Sequence, residues 1–368
     1  MSGPLTLYVW SFVLALLFSV SATQVVIRLA RRFKILDVPG GRRMHKRPIP
    51  RPGGIAIFVA FGLAIAVFWT IDVLNGGPVL IPEEVRSPRF RLVVLAALVS
   101  VVVGFFDDLV DLRARWQLLG QLLVAGIVVA AGVRIEFVNN PFDASHLLVL
   151  GALAIPLTFL WIVGMVNALN FIDGLDGLAA GVSAIAAVCL GFIALTPTVN
   201  EPFVAWMEFT LAGALIGFLI FNVHPAKTFL GTTGVTFVGT VLATLSIFGT
   251  AKVAAALLVL GVPIIDTFYV IIRRLFERRP PFAPDRGHFH HRLLDVGLSH
   301  TQAVFLIYVI TAVLGGVALL ASGQAQVLAF AAVFVALGVA VIVLAQRSAK
   351  AQEFEPGLYP NGEESGGS

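Results

Sequence analysis

Apolar residues occur along this chain in long runs broken by short polar segments, not in the period-2 or period-3.6 alternation of elements with one wet face. The runs cover 5–27, 53–74, 91–106, 117–134, 147–166, 177–195, 205–222, 234–250, 253–272, 302–321 and 325–345. A helix of about 20 apolar residues crosses the ~30 Å hydrocarbon layer of a bilayer. A segment in lipid must close its backbone hydrogen bonds internally, so each run predicts a helix. The pattern therefore predicts an all-α polytopic membrane protein with about eleven transmembrane helices. These form one integral-membrane domain over 1–345, followed by a polar tail over 346–368 that is expected to be disordered.

Composition agrees and narrows the classes. Hydrophobic residues make up 58% of the chain and charged residues 12%, which is incompatible with a water-soluble fold. Cys189 is the single cysteine, so an internal disulfide and a cysteine-based metal site are both excluded. The net charge of +4 could suggest nucleic acid, but the placement of the cations explains it better. With eleven spans and the N-terminus outside, 20 of the 25 Lys and Arg residues fall on one side, as the positive-inside rule expects of a cytosolic face. The first run is followed by Arg28 and has no basic residue before it, the reverse of a secretory signal, so it predicts an uncleaved span. No repeat and no two-half symmetry of the transporter kind is evident.

The same side collects the polar chemistry, in loops 28–52, 107–116, 167–176, 223–233 and 273–300. Asp107 and Asp108 end a span. Adjacent carboxylates repel unless a cation bridges them or a proton is shared, and hard oxygen ligands suit Mg²⁺, with Mn²⁺ as an alternative. Two solvated acids at a helix end are the plain alternative. In "NFIDGLDGLAAG", Asp173 and Asp176 share a helical face with Asn170 nearby, and they suit either a polar site or a helix cap. "HFHHR" clusters His288, His290, His291 and Arg292. It fits a phosphate-binding and proton-handling loop better than a zinc site or a headgroup contact. The basic stretch "GRRMHKRPIPRPGG" could hold an anionic lipid headgroup or a nucleotide phosphate. Asp266, inside a span, is expected to pair with Arg273 or Arg274.

Five segments in order, "HKRPIPRPGG", "GFFDDLVDLRARWQLLGQ", "NALNFIDGLDGLAAG", "FNVHPAKTFLG" and "DRGHFHHRLLDVGLSH", resemble the polyprenyl-phosphate N-acetylhexosamine-1-phosphate transferases over residues 28–300. The form of the His loop is closest to the bacterial undecaprenyl-phosphate GlcNAc-1-phosphate branch. The resemblance implies transfer of a HexNAc-1-phosphate from a UDP-N-acetylhexosamine to a polyprenyl phosphate, releasing UMP, as a first membrane step of envelope polysaccharide synthesis. It further implies Mg²⁺, a bacterial inner-membrane location with the site facing the cytoplasm, no nucleic acid, and compatibility with a homodimer. By motif position, Asp107 would deprotonate or orient the lipid phosphate, with Asp108 beside it. Asp173 and Asp176 would hold the nucleotide or support the metal, so all four acids are metal candidates. Asn222 would orient a ligand and Phe229 would stack on uracil. His290, His291 and Arg292, with His288, would contact diphosphate or sugar. Lys46 and Arg51 would reach the polyprenyl or nucleotide phosphate.

One position departs from the family pattern. Its metal-ligating aspartate falls on Thr232 in "GTTGV", and a hydroxyl is a much poorer Mg²⁺ ligand. Three readings stand: an active enzyme whose metal leans on the other acids, a substrate-binding but impaired homologue, or a changed donor. A transporter or flippase is the alternative class, though its sites usually lie at the membrane midplane, not at one face.

Overall fold

The computed structural model describes residues 3–38, 47–75, 87–140, 147–248, 252–278, 287–321 and 323–354. Within them the chain forms α1 Gly3–Arg32, α2 Gly54–Leu74, α3 Pro88–Val110, α4 Ala114–Ala130, α5 Ala154–Ile172, α6 Leu178–Ala194 and α7 Pro202–Asn222. It continues through α8 Gly231–Ile247, α9 Lys252–Val259, α10 Gly261–Phe276, α11 Phe289–Asp295, α12 His300–Leu320 and α13 Gln324–Phe354. Two short antiparallel pairs join them, β1 Leu36–Asp37 with β2 Ile49–Pro50, and β3 Phe137–Asn139 with β4 Leu147–Val149.

Each predicted apolar run lies for most of its length on a helix or a bent helix pair. Six helices are long and apolar enough to cross a bilayer, seven if the bent pair counts as one span. Four more apolar helices are shorter, Ala114–Ala130, Leu178–Ala194, Gly231–Ile247 and Gln324–Ala340. The protein is thus a helical, multi-pass membrane protein. Three details differ from expectation. The run at 253–272 breaks into α9 and α10, bent by 80°, because Pro263 has no N–H to continue the ladder and its ring obstructs the preceding turn. The run at 147–166 opens as strand β4, and its helix starts only at Ala154. Helix α13 continues to Phe354, past the expected start of the tail, and 355–368 lie outside the described residues.

Lipid supplies no hydrophobic drive between helices, so close backbone approach must hold the bundle together. Gly213 and Gly217, spaced four apart on α7, provide it: a Cβ on either would meet the α1 backbone, at Phe12 O (2.2 Å) and Leu16 O (2.4 Å). Ser19 donates to Ala214 O across the same seam at 2.6 Å. Buried α7 packs between α1 and α6, while α8 packs against α3 and α5. At the polar end, α2 meets α8 through glycines too. A Cβ on Gly54 would lie 2.1 Å from the Gly234 Cα. The Pro-Gly-Gly punctuation of the basic stretch is therefore explained by packing. It lets 50–54 run beside 228–230, with Phe229 N donating to Pro50 O (2.9 Å), Gly53 N to Phe229 O (3.1 Å) and Gly54 N to Leu230 O (2.9 Å).

Gly231 starts α8 at φ +68, where an L side chain is strained, and its Cβ would strike Arg51 O at 2.5 Å and Asp108 Oδ2 at 2.7 Å. Gly231→Ala is expected to destabilise the protein by at least about 1–2 kcal/mol from the left-handed backbone alone. A thermal melt in detergent would read this, and an unchanged midpoint would mean that α8 does not start in this conformation.

Candidate active site

The acid pair ends α3. Asp111 turns the chain at φ 48 directly after it, and the first amides of α8 come to face Asp108. Thr232 N donates to Asp108 Oδ1 at 2.8 Å; Thr233 N (3.0 Å) and Thr233 Oγ1 (2.5 Å) donate to Asp108 Oδ2. Asp107 Oδ2 accepts from Thr232 Oγ1 at 2.6 Å, while its Oδ1 accepts from Leu112 N (2.8 Å) and Gln117 Nε2 (2.9 Å). Every carboxylate oxygen of this buried pair thus has a donor, and the positive end of the α8 dipole adds to them. Arg51 closes the exposed side. Its Nε lies 3.9 Å from Asp108 Oδ1 and one terminal nitrogen 2.6 Å from Asp111 Oδ1. Burial works against the Arg51 charge, but the hydrogen bond to Asp111 and the charges of Asp111, Asp108 and Asp37 outweigh it and raise its pKa.

Beside the pair opens a cleft of about 540 Å³ between the start of α4, the end of α5 and the His loop. Gln117, Arg115, Asn170, Asp173, His288, His290 and His291 line it. Gln117 links cleft and pair, since the amide that lines the cleft is the one Asp107 holds. Asp173 is the C-cap of α5, and it is the one of the four candidate acids whose carboxylate makes no hydrogen bond among the described residues. Burial pushes its pKa well above the ordinary carboxylate value, and the neighbouring charges of Asp108 and Asp176 push it further.

The His loop is anchored from below. Asp266 on α10 lies 3.0 Å from His288 Nδ1 and accepts from Phe289 N at 2.8 Å. This corrects the expectation that Asp266 pairs with Arg273 or Arg274: the partner lies 22 residues on, on the loop that the acid positions. His288 and His290 stack at 5.8 Å, and His290 contacts His291 at 4.2 Å. His290 is 1% exposed, and neither ring nitrogen has a hydrogen-bond partner among the described residues. Burial, then the charges of His291, His288 and His300, lower its pKa well below the usual imidazole value. Gly174 makes room for it, since a Cβ there would sit 2.5 Å from His290 Nε2.

The other predicted residues lie around this centre. Asp176 faces away from the cleft, 2.7 Å from His224 Nδ1 and accepting from Ala226 N at 3.1 Å. Asn222 is buried and donates to Thr228 O at 2.9 Å, shaping the α7–α8 loop. Phe229 is pinned by its backbone to 50–53. Arg292 turns inward, donating to Gly287 O at 2.8 Å and lying over the Tyr269 ring, and is not among the cleft-lining residues. Lys46 lies outside the described residues. Sequence reasoning missed Gln117, Arg115 and the histidines at 224 and 300. Gln117 was readable in hindsight, because it follows the paired acids by ten positions across a tight turn.

The oxygen donors test the fit of Mg²⁺. Every oxygen of Asp107 and Asp108 already accepts a hydrogen bond, which leaves Mg²⁺ the second lone pairs of Asp107 Oδ2 and Asp108 Oδ1, each with one donor among the described residues. Asp173 and the Asn170 carbonyl, at the cleft wall, fit: Mg²⁺ is commonly held by one or two protein oxygens, completed by water and substrate phosphate.

Residues 90–250 match the model of the glycosyl transferase family 4. A probable undecaprenyl-phosphate N-acetylglucosaminyl 1-phosphate transferase of Bacillus subtilis is 36% identical over 306 residues, 82% of this chain and 81% of its own. A decaprenyl-phosphate N-acetylglucosaminephosphotransferase of Mycolicibacterium smegmatis is 34% identical, covering 88% and 83%. An undecaprenyl-phosphate alpha-N-acetylglucosaminyl 1-phosphate transferase of Thermotoga maritima is 32% identical, covering 73% and 76%. Matches of this length and identity, on a chain with the paired acids and the His loop in place, decide the matter: the chain belongs to glycosyl transferase family 4, with the polyprenyl-phosphate N-acetylhexosamine-1-phosphate transferases.

Proposed function

We propose that the protein transfers N-acetylglucosamine-1-phosphate from its UDP derivative to undecaprenyl or another polyprenyl phosphate, releasing UMP, at the cytoplasmic face of a bacterial inner membrane. The observation that carries this is the cleft itself. It sets an unpartnered carboxylate, an amide and three imidazoles at the ends of apolar helices, where a soluble diphosphate and a lipid phosphate can meet. The strong excess of Lys and Arg in the loops at that end supports the cytoplasmic side.

The transfer exchanges one phosphoanhydride for another. A lipid phosphate oxygen bonds to the β-phosphorus, and the bond from that phosphorus to the bridging oxygen breaks to release UMP. The chief requirement is to neutralise two approaching anions. Asp173 and Asn170 would hold Mg²⁺, which would supply electrostatic stabilisation of the phosphoryl oxygens. His290, whose ring nitrogens have no hydrogen-bond partner among the described residues, has an N–H that can donate to a diphosphate oxygen. Gln117 Nε2 directs its two hydrogens to Asp107 Oδ1 and Leu112 O, so its side-chain carbonyl is the group left to the cleft, and Arg115 places a cation at the edge. On this reading Asp107 and Asp108 act as positioning residues. They tie α3 to α8 and aim Gln117.

The test is UMP release by purified protein with UDP-N-acetylglucosamine, undecaprenyl phosphate and Mg²⁺. Release that requires both substrates and stops with EDTA is expected. Binding of both substrates with no release would instead establish the impaired homologue.

A further inference from the structure

Asp176, His224 and His300 come from three separate elements, the α5–α6 turn, the α7–α8 loop and the first residue of α12. One carboxylate oxygen and one ring nitrogen from each histidine lie within 4.8 Å of one another, and no other such trio is found among the described residues. The transfer reaction uses neither histidine. We propose that these three side chains form a binding site for one late first-row divalent cation, of which Zn²⁺ is the type, separate from the oxygen-lined position at Asp173.

The donor set argues for that class of ion. Two imidazole nitrogens and one carboxylate oxygen suit Zn²⁺, Co²⁺ or Ni²⁺ and are a poor set for Mg²⁺. Tetrahedral bonds of 2.0–2.1 Å place ligand atoms about 3.3 Å apart, so the trio, within 4.8 Å, needs an adjustment of up to about 1.5 Å. The His224 side chain, 47% exposed, has the freedom to make it. The two imidazoles stack at 4.2 Å and 25°, an arrangement that two imidazolium rings would resist, and the neutral ring is the form that binds a metal.

The surroundings are already built. Ala226 N donates to Asp176 Oδ2 at 3.1 Å. Asp176 N donates to His300 Nε2 at 3.0 Å, so that nitrogen carries the ring's lone pair, which a cation would take in place of the amide hydrogen. About two turns into α12, Tyr308 Oη donates to Gly177 O at 2.5 Å. Three protein ligands leave a fourth position for water, as in open zinc sites. A cation here would staple α12 and the α7–α8 loop to the turn that carries Asp173 at its other end, bracing one wall of the cleft.

The experiment is a Co²⁺ titration of the purified full chain in detergent, with Mg²⁺ in excess throughout. Saturation at one equivalent is expected, with the visible absorption of four-coordinate Co²⁺, bleached by Zn²⁺. His224→Ala and His300→Phe should each weaken binding at least tenfold, and His291→Ala should not. No saturable signal in the unmodified chain, retention of the signal in His224→Ala, or its loss only in His291→Ala would each overturn the site. Elution volume on size exclusion reports whether a variant is folded. If His300→Phe is not, the half-exposed His224→Ala decides alone. Binding is read without turnover, so a failed UMP assay leaves this result standing.

Discussion

Asp173→Asn is expected to lower UMP release by about 100-fold or more, in the range seen when one preorganised electrostatic partner of a transition state is removed. The substitution keeps the size of the side chain and removes its charge. It should leave the fold intact, because the carboxylate makes no hydrogen bond that the structure depends on, and it relieves repulsion from Asp108 and Asp176. A stability penalty is therefore not the expected cause of the loss. The folded-state pKa lies well above the unfolded one, so between the two the native state holds the extra proton. Stability from this group is greatest at low pH and declines as pH rises towards the raised pKa. Asp173→Asn should remove that decline and melt no lower than the unmodified protein at neutral pH.

Cation binding at the same carboxylate runs the other way. A proton and Mg²⁺ compete, so below the raised pKa the half-saturating Mg²⁺ concentration should fall about tenfold for each unit rise in pH, then level off. Initial rates against Mg²⁺ at several pH values would measure this. A variant that retains most of its activity, or a Mg²⁺ requirement that ignores pH in the unmodified enzyme, would remove Asp173 from the metal site and return the question to Asp107 and Asp108.

What could be read from the sequence divides along a physical line. Runs of apolar residues report on lipid, and lipid acts on each segment separately, so the helices were legible one by one. So were the polar loops, because charge in a greasy chain is conspicuous wherever it falls. Pairing between segments was not legible. Asp266 has Arg273 and Arg274 on its own helix, which made a local partner the natural expectation. The fold instead brings His288 across from a loop whose position only tertiary packing decides. His224 and His300 sit inside quoted motifs, yet 76 residues separate them, and no local pattern predicts that their rings stack. The bend at Leu260–Gly261 was legible in principle from Pro263, but hydropathy is blind to a missing N–H.

Thr232 is the residue whose meaning changed most. In the sequence it is a ligand lost; in the structure it is a donor, and the largest expected effect on stability follows from replacing it. Its Oγ1 donates to Asp107 at 2.6 Å, and its amide donates to Asp108. Thr232→Asp would exchange that hydroxyl for a third carboxylate among buried acids. Two unit charges about 4 Å apart repel by about 4 kcal/mol at an effective dielectric constant of 20, before any rearrangement or proton uptake. The variant should therefore melt several degrees lower than the unmodified protein in EDTA, and millimolar Mg²⁺ should recover most of that loss by bridging the acids. Thr232→Val tests the donor alone. It leaves Asp107 Oδ2 without a partner, costs about 1–3 kcal/mol, and should show no recovery with Mg²⁺. Thermal melts of the three proteins in detergent, with and without Mg²⁺, separate these cases. If Thr232→Asp melts like the unmodified chain in EDTA, residue 232 does not face the acid pair. If it melts lower but ignores Mg²⁺, the three carboxylates share a proton in place of a cation, and the metal of this enzyme sits at Asp173 even when an acid is restored at position 232.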